Sequence, residues 1–149
     1  MRTTTLPRRK RALAALVLAA WTTCASADVF VVVPSTSSVR ALTQKQVLDI
    51  YMGRSRAFPG GDFAVPFDMP RDSAERAAFY LALTGMGPAQ VNSYWSRLMF
   101  SGQIQPPQPL AGETAMLDTV KRGAAAIGYL PQEPADKAVR VVLVLKDAR

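Results

Sequence analysis

The segment DVFVVVP at residues 28–34 decides the fold class of this 149-residue chain. It is a short, continuous run of β-branched and aromatic residues, which is typical of a buried strand. The segment LTQKQV at residues 42–47 follows and carries the signals of a helix start, because Thr43 can cap the amide of Gln46 while Gln46 reaches back. A buried strand followed by a capped helix is the opening of a layered α/β domain.

The next segments continue this alternation. A strand is predicted over residues 63–67, followed by a helix that begins at Asp72 or Ser73 and ends near Thr84. Small and apolar residues at i, i+3, i+4 and i+7 predict the buried face of this helix: Ala74, Ala77, Ala78 and Leu81.

The second half adds two helices and two strands. Pro88 fits the first turn of a helix whose buried stripe is predicted to be Val91, Tyr94, Trp95 and Leu98. Residues 101–112 are rich in proline and glycine and predict an irregular connection. A helix over residues 113–122 and strands over 125–129 and 139–145 complete the order β-α-β-α-α-α-β-β. We therefore predict one α/β domain, three-layer-like, over residues 28–149.

Residues 1–27 have the pattern of a secretory signal peptide. A basic stretch, residues 1–11, precedes an uncharged apolar run, residues 12–21, and the small residues Ala25-Ser26-Ala27 form the cleavage site. The apolar run is about half of the roughly 20 residues that a membrane-spanning helix needs, so no stable membrane anchor is expected. The predicted location is the periplasm, with cleavage after Ala27.

Two features of this leader bear on lipid attachment and on the export route. The residues before Cys24 lack the leucine and small residues of a lipid-attachment site, so a lipoprotein is not expected. Arg8-Arg9 is compatible with twin-arginine export, but a basic pair is common in any such leader, and the export route stays open.

The positive charge of the chain is concentrated in the leader. The formal net charge is +7, with 18 Lys and Arg against 11 Asp and Glu, and five of the cations lie within residues 1–11. No acidic residue precedes Asp28, so the mature chain has 13 cations and 11 acids, a net charge of +2. No nucleic-acid partner is therefore expected.

The mature chain lacks the side chains on which much enzyme chemistry depends. It has no Cys and no His, which excludes a disulfide, a thiolate nucleophile, an imidazole base and the usual zinc ligands. Serine with lysine and paired carboxylates stay open. The carboxylates of Asp68, Asp72 and Glu75 have no spacing that fixes a catalytic separation. We expect no enzyme, no cofactor and no metal.

Several short segments, taken in order, point to a known family. They are DIYMGR at residues 49–54 with FPGG at 58–61, YW at 94–95 with FSG at 100–102, and AIGY at 126–129. Together they resemble the phosphate-type periplasmic solute-binding proteins that serve ABC transporters. Because the chain is about half the size of those two-lobed proteins, the resemblance implies one lobe of a type 2 periplasmic binding protein.

The segment RDSAERAAF at residues 71–79 supplies the candidate binding residues. Through Ser73, Arg76 and Phe79 it resembles the S-x-x-R-x-x-F pattern of short, single-lobe relatives, although it lacks the S-G-T core of the full-length proteins. A helix start offers free amides and a positive dipole end. Arg71 and Arg76 add charged donors, and Ser73 adds a hydroxyl. The predicted ligand-binding residues are Arg71, Ser73 and Arg76.

The same segment also has a purely structural interpretation. Asp72 and Ser73 would then act only as helix caps, and Arg76 would pair with Asp72 at i, i+4 on a solvated face. This interpretation stays open at the level of sequence.

Two functions follow from these observations. The first is an exported, non-catalytic solute-binding-type domain that takes phosphate or a similar small oxyanion for transport or sensing. The second is a periplasmic protein-interaction module that kept the fold, lost ligand binding, and presents its surface to a sensor or transporter subunit. A single lobe leaves one side of a ligand in water, so tight binding would require a second copy or a partner.

Overall fold

The fold alternates helices and strands around one mixed sheet. The computed structural model describes residues 28–102 and 104–147, so the predicted signal peptide lies outside the described residues. The elements are β1 (Val29–Pro34), α1 (Gln44–Tyr51), β2 (Val65–Asp68), α2 (Ala74–Thr84), α3 (Pro88–Phe100), β3 (Gln108–Pro109), α4 (Glu113–Arg122), β4 (Ala126–Leu130) and β5 (Val139–Leu145).

The strands form a sheet in the order β3-β2-β4-β1-β5. β1 runs antiparallel to both β4 and β5, whereas β2 runs parallel to both β3 and β4. The carboxyl ends of β2 and β3 therefore lie at the same edge of the sheet, and the connections to α2 and α4 start there. This edge is where open α/β sheets usually bind ligands.

Helices cover both faces of the sheet. A Cβ on Gly128 of β4 would lie only 2.5 Å from the Met116 sulfur and 2.9 Å from a Val120 methyl, so this residue faces α4, and a larger residue here would force these side chains to shift. The next residue, Tyr129, stacks its ring on Phe79 of α2, with centroids 3.8 Å apart. Because neighbouring strand residues point to opposite faces, α4 and α2 form the two outer layers.

The local signals at the helix ends are confirmed. Thr43 and Gln46 form the expected capping box at the start of α1. Ser73 caps α2, Gly85 ends it in the left-handed conformation with φ of 75°, and Pro88 occupies the first turn of α3. These short-range interactions depend only on residues a few positions apart, which is why the sequence predicts them well.

The buried face of α2 differs from the prediction. Leu81 is 43% exposed and Ala74 is also exposed, whereas the buried residues are Arg76, Phe79, Tyr80 and Leu83. This set has the same i, i+3, i+4, i+7 spacing but starts at an arginine. The two aromatic side chains bury far more apolar area than the alanines of the predicted face, so they turn toward the sheet.

The proline-rich connection contains one element that the sequence does not predict. β3 is only two residues long and pairs with Phe67 and Asp68 of β2. Apart from this strand, the elements and the α/β class agree with the prediction. Within the described ranges, no helix combines the length and the apolar character needed to cross a membrane.

Candidate functional site

Two pockets lie at the carboxyl end of β2, and Met69 lines both. The first, here called the arginine pocket, is lined by Asp68, Met69, Arg71, Arg76, Asn92, Trp95, Ser96, Met99, Pro106, Pro107 and Pro109. The second, here called the acidic pocket, is lined by Met69, Pro70, Ser73, Glu75, Ala111, Gly112, Glu113, Thr114, Ala115 and Asp118.

A buried ion pair lies beneath the arginine pocket. Asp68 ends β2, and the Ser73 cap fixes the first turn of α2 by accepting the Arg76 amide at 3.1 Å. The Arg76 Nε then donates to the Asp68 Oδ2 at 2.8 Å, and only 6% of Arg76 and 4% of Asp68 are exposed. The strand end and the capped helix start thus hold the two charges together.

The carboxylate of Asp68 has a full set of donors. Besides Arg76, it accepts the hydroxyl of Tyr129, the hydroxyl of Tyr80 at 3.3 Å and the amide of Met69 at 2.9 Å. A nearly buried carboxylate with donors on both oxygens is poorly placed for proton transfer to a substrate. The geometry therefore favours a structural role for Asp68 over acid/base work.

Burial and the charge of Asp68 keep the groups around this carboxylate protonated, so that they can donate hydrogen bonds. Burial raises the pKa of Tyr129 and Tyr80, and the negative charge of Asp68 raises both further. Burial lowers the pKa of Arg76, but its hydrogen bond and attraction to Asp68 raise that pKa to above its ordinary value. Arg76 is therefore a permanent cation of the pocket, and both phenols stay protonated.

One edge of the Arg76 guanidinium remains open. Nη1 donates to the Asn92 side-chain oxygen at 3.2 Å and to the Arg71 carbonyl at 3.4 Å, and the guanidinium carbon lies 5.0 Å from the Tyr80 ring centroid. In the described part of the chain no hydrogen bond engages Nη2. This nitrogen is available to a ligand in the arginine pocket.

The structure brings two of the three predicted binding residues together. Arg71 is exposed and lines the arginine pocket beside Arg76, but Ser73 lines the acidic pocket. The Ser73 hydroxyl is engaged as the helix cap. The structural interpretation of the sequence is right about this cap, but the partner of Arg76 is the buried Asp68 and not Asp72.

Trp95 adds a polar group that the sequence analysis treats only as core. Its side chain is 4% exposed, and its indole Nε1 is buried without a hydrogen-bond partner among the described residues. The far edge of the benzene ring faces Gly53, where Cη2 lies 3.2 Å from the position of an added Cβ. The opposite end carries the N–H and lies near Tyr80, although the two groups are not in hydrogen-bonding geometry.

Two signals in the sequence could have indicated this arrangement. Asp68 directly follows a predicted strand, which is where ligand-facing residues of α/β sheets collect. Asn92, Trp95 and Ser96 share one face of α3 through i, i+3 and i+4 spacing, and all three line the arginine pocket.

The acidic pocket has the opposite charge. The start of α2 and the uncapped start of α4 both border it, yet its charged lining residues are Glu75, Glu113 and Asp118, a formal −3. The arginine pocket contains Arg71 and Arg76 against Asp68, a formal +1. In the described ranges, no three acidic, histidine or cysteine residues are grouped so that they could hold a metal ion.

Solved structures with a similar fold were found for this chain. One match, from Clostridium perfringens, is described as a phosphate ABC transporter substrate-binding protein with bound phosphate. Its TM-score is 0.60 and its sequence identity is 20%, and the match covers 78% of this chain and 45% of that one. An ABC-type phosphate transport receptor from Vibrio cholerae also has a TM-score of 0.60, with 17% identity over 78% of this chain and 46% of that one. The fold is that of one periplasmic-binding-protein lobe.

The match is to the fold and not to a sequence family. No protein-family model and no curated protein matches the chain. The chain spans less than half the length of the two solved proteins. The α/β lobe implied by the sequence resemblance is confirmed.

Proposed function

We propose that the chain is an exported, non-catalytic solute-binding-type domain that takes a small oxyanion in the arginine pocket. The observation that carries the proposal is the convergence of Arg71 and Arg76 at the carboxyl end of β2, with a formal pocket charge of +1. The fold shared with phosphate-binding proteins supports the same role in transport or sensing.

Each of the three predicted residues has a distinct part in this proposal. Arg71 is exposed, and its side chain has no hydrogen-bond or ion-pair partner in the described part of the chain, so it is able to turn to an anion at the pocket mouth. Arg76 contributes its Nη2 from the pocket floor. Ser73 acts as a positioning residue, because its hydroxyl holds the helix turn that carries Arg76.

Binding to such a pocket is expected to be weak. The pocket is open on one side, where water and salt screen the charge of the arginines. We expect millimolar to high micromolar dissociation constants, roughly −4 to −6 kcal/mol, that weaken with added chloride. A second copy or a transporter or sensor subunit that covers the open side would strengthen binding.

Thermal-shift and NMR titrations with phosphate, sulfate and a neutral solute test this proposal. The wild type should respond to the anions only, and Arg71→Ala should weaken the response severalfold. Arg122→Ala is the matched control, since it removes an equally exposed arginine from α4 outside both pockets. No anion response in the wild type, or equal losses in both variants, would refute a site in the arginine pocket.

Export is part of the proposal and has its own measurement. Intact-mass analysis of the protein from its native cells should find a chain that begins at Asp28 in the periplasmic fraction. A species that retains Cys24 with an attached lipid would overturn it.

A second candidate function is the periplasmic interaction module. The observation that favours it is a set of large apolar side chains left exposed near the end of α3 and around the start of β2: Phe63 at 76%, Val65 at 45%, Met99 at 50% and Phe100 at 97%. Exposed apolar groups of this size commonly mark protein contacts. A photo-crosslinker at Phe100 should then capture a sensor or transporter subunit in native cells, whereas one at Leu81 should not.

A further inference from the structure

We infer that the arginine pocket is built for a small organic carboxylate with a short apolar body, and that the indole N–H of Trp95 is one of the donors to its head group. This inference rests on the proposed function and names the class of its ligand.

The unpartnered N–H of Trp95 is the first observation behind this inference. Trp95 lines the arginine pocket, and its Nε1 is fully buried with no acceptor in the described part of the chain. A buried donor without a partner costs free energy, and native proteins rarely retain one unless a ligand or water completes it. The Tyr80 hydroxyl beside it donates to Asp68 and is not in hydrogen-bonding geometry with Nε1, so a ligand in the pocket can supply the acceptor that the described residues do not.

The second observation is the apolar part of the pocket lining. Met99, Pro106, Pro107 and Pro109 line the arginine pocket and also the adjoining one, so they form the boundary between the two. These side chains offer no donor to an anion. A bare inorganic ion would leave this lining against water, whereas an alkyl group would cover it.

Charge and size limit the ligand further. A formal pocket charge of +1 is balanced by a single carboxylate, whereas inorganic phosphate at neutral pH is a mixture of the monoanion and the dianion. The cavity is about 190 Å³, smaller than the roughly 300–1,000 Å³ of pockets for drug-sized ligands. The ligand is therefore a monoanion of only a few heavy atoms.

NMR of the Trp95 indole N–H tests this directly, with the peak assigned by its loss in Trp95→Phe. Four probes are titrated: acetate, butyrate, the neutral butyramide and inorganic phosphate. Butyrate should move the peak with a dissociation constant about tenfold lower than that of acetate, as two further buried methylenes predict. Butyramide should leave it unmoved over the same range.

A second variant keeps the test valid if Trp95→Phe folds poorly. Met99 is half exposed, so Met99→Ala should fold normally and reduce the preference for butyrate over acetate at least threefold. Leu81→Ala, with similar exposure on α2, should leave that preference unchanged.

The outcomes separate this inference from the proposed function. If phosphate binds in the arginine pocket but butyrate binds no tighter than acetate, the organic ligand class is wrong and the oxyanion site stands. If butyramide binds as tightly as butyrate, the inference also fails. If no anion moves the indole peak or stabilises the protein, both are wrong.

Discussion

The arginine pocket and the acidic pocket share Met69 and the start of α2 but have opposite charge. The acidic pocket has two helix starts beside it, the feature most often associated with anion sites, yet three carboxylates already supply its negative charge. The arginine pocket has two guanidinium groups and an indole N–H that has no acceptor among the described residues. Helix dipoles alone therefore do not determine where an anion binds, because the charged side chains nearby have the larger effect.

The largest expected effect comes from the buried ion pair beneath the arginine pocket. Arg76→Met should lower the free energy of unfolding by about 3–5 kcal/mol, because it leaves the Asp68 charge buried without its cation. Urea denaturation measures this. The double variant with Asp68→Asn should recover much of the loss, and a double variant as unstable as the single one would contradict the account.

High pH should destabilise the side of the sheet that carries this pair. Burial raises the pKa of Tyr51, Tyr80 and Tyr129 above the ordinary 10.0, so the stability they contribute is complete below pH 10 and is lost as the pH rises beyond it. Each adds a slope of up to about 1.4 kcal/mol per pH unit. Denaturation between pH 9 and 12 should find a steep decline that is shallower in Tyr129→Phe, and a flat profile would show that these phenols ionise within the fold.

The cap of α2 should matter less than the ion pair. Ser73→Ala should cost about 1 kcal/mol, whereas Ser73→Gly should cost only a few tenths. Thr43→Ala, which removes the matching cap of α1, is the control for stability alone. If Ser73→Gly folds normally but loses anion binding, Ser73 is a ligand and not only a positioning residue.

The smallest effect is expected in the acidic pocket. Glu75 lies in the first turn of α2, where its charge favours the helix dipole, so Glu75→Gln should cost about 0.3–1 kcal/mol. The same change should raise affinity for an anion in the neighbouring arginine pocket no more than about threefold, because exposed charges are screened. A larger gain would mean that the anion binds in the acidic pocket itself.

The sequence predicts the elements better than the site because the two depend on different ranges of interaction. The helix caps and ends depend on contacts with residues only a few positions away, and each has its predicted role: Thr43, Ser73, Gly85 and Pro88. The partner of Arg76 is Asp68, which precedes it by eight residues across the connection from β2 to α2. Apolar periodicity cannot detect such a pair, because it counts every arginine as a surface residue.

Some features of the site depend on tertiary structure alone. The sequence identifies Trp95 as a buried residue but contains no signal that its N–H lacks an acceptor within residues 28–102 and 104–147. Ser73 and Arg76 are three positions apart, yet they line different pockets. Ser73 stays at the helix start as the cap, whereas the side chain of Arg76 is buried. The short strand β3 forms only because β2 offers it Phe67 and Asp68 as partners.

Chemical-shift mapping with phosphate and acetate tests most directly whether the charged side chains determine which of the two pockets binds the anion. The account predicts that the Trp95 indole N–H and the Asn92 side-chain amide move together along one binding curve, while the backbone amides of Glu113 and Thr114 stay in place. Movement of the Glu113 and Thr114 amides, with the Trp95 and Asn92 signals unchanged, would place the anion at the helix starts of the acidic pocket and contradict the account.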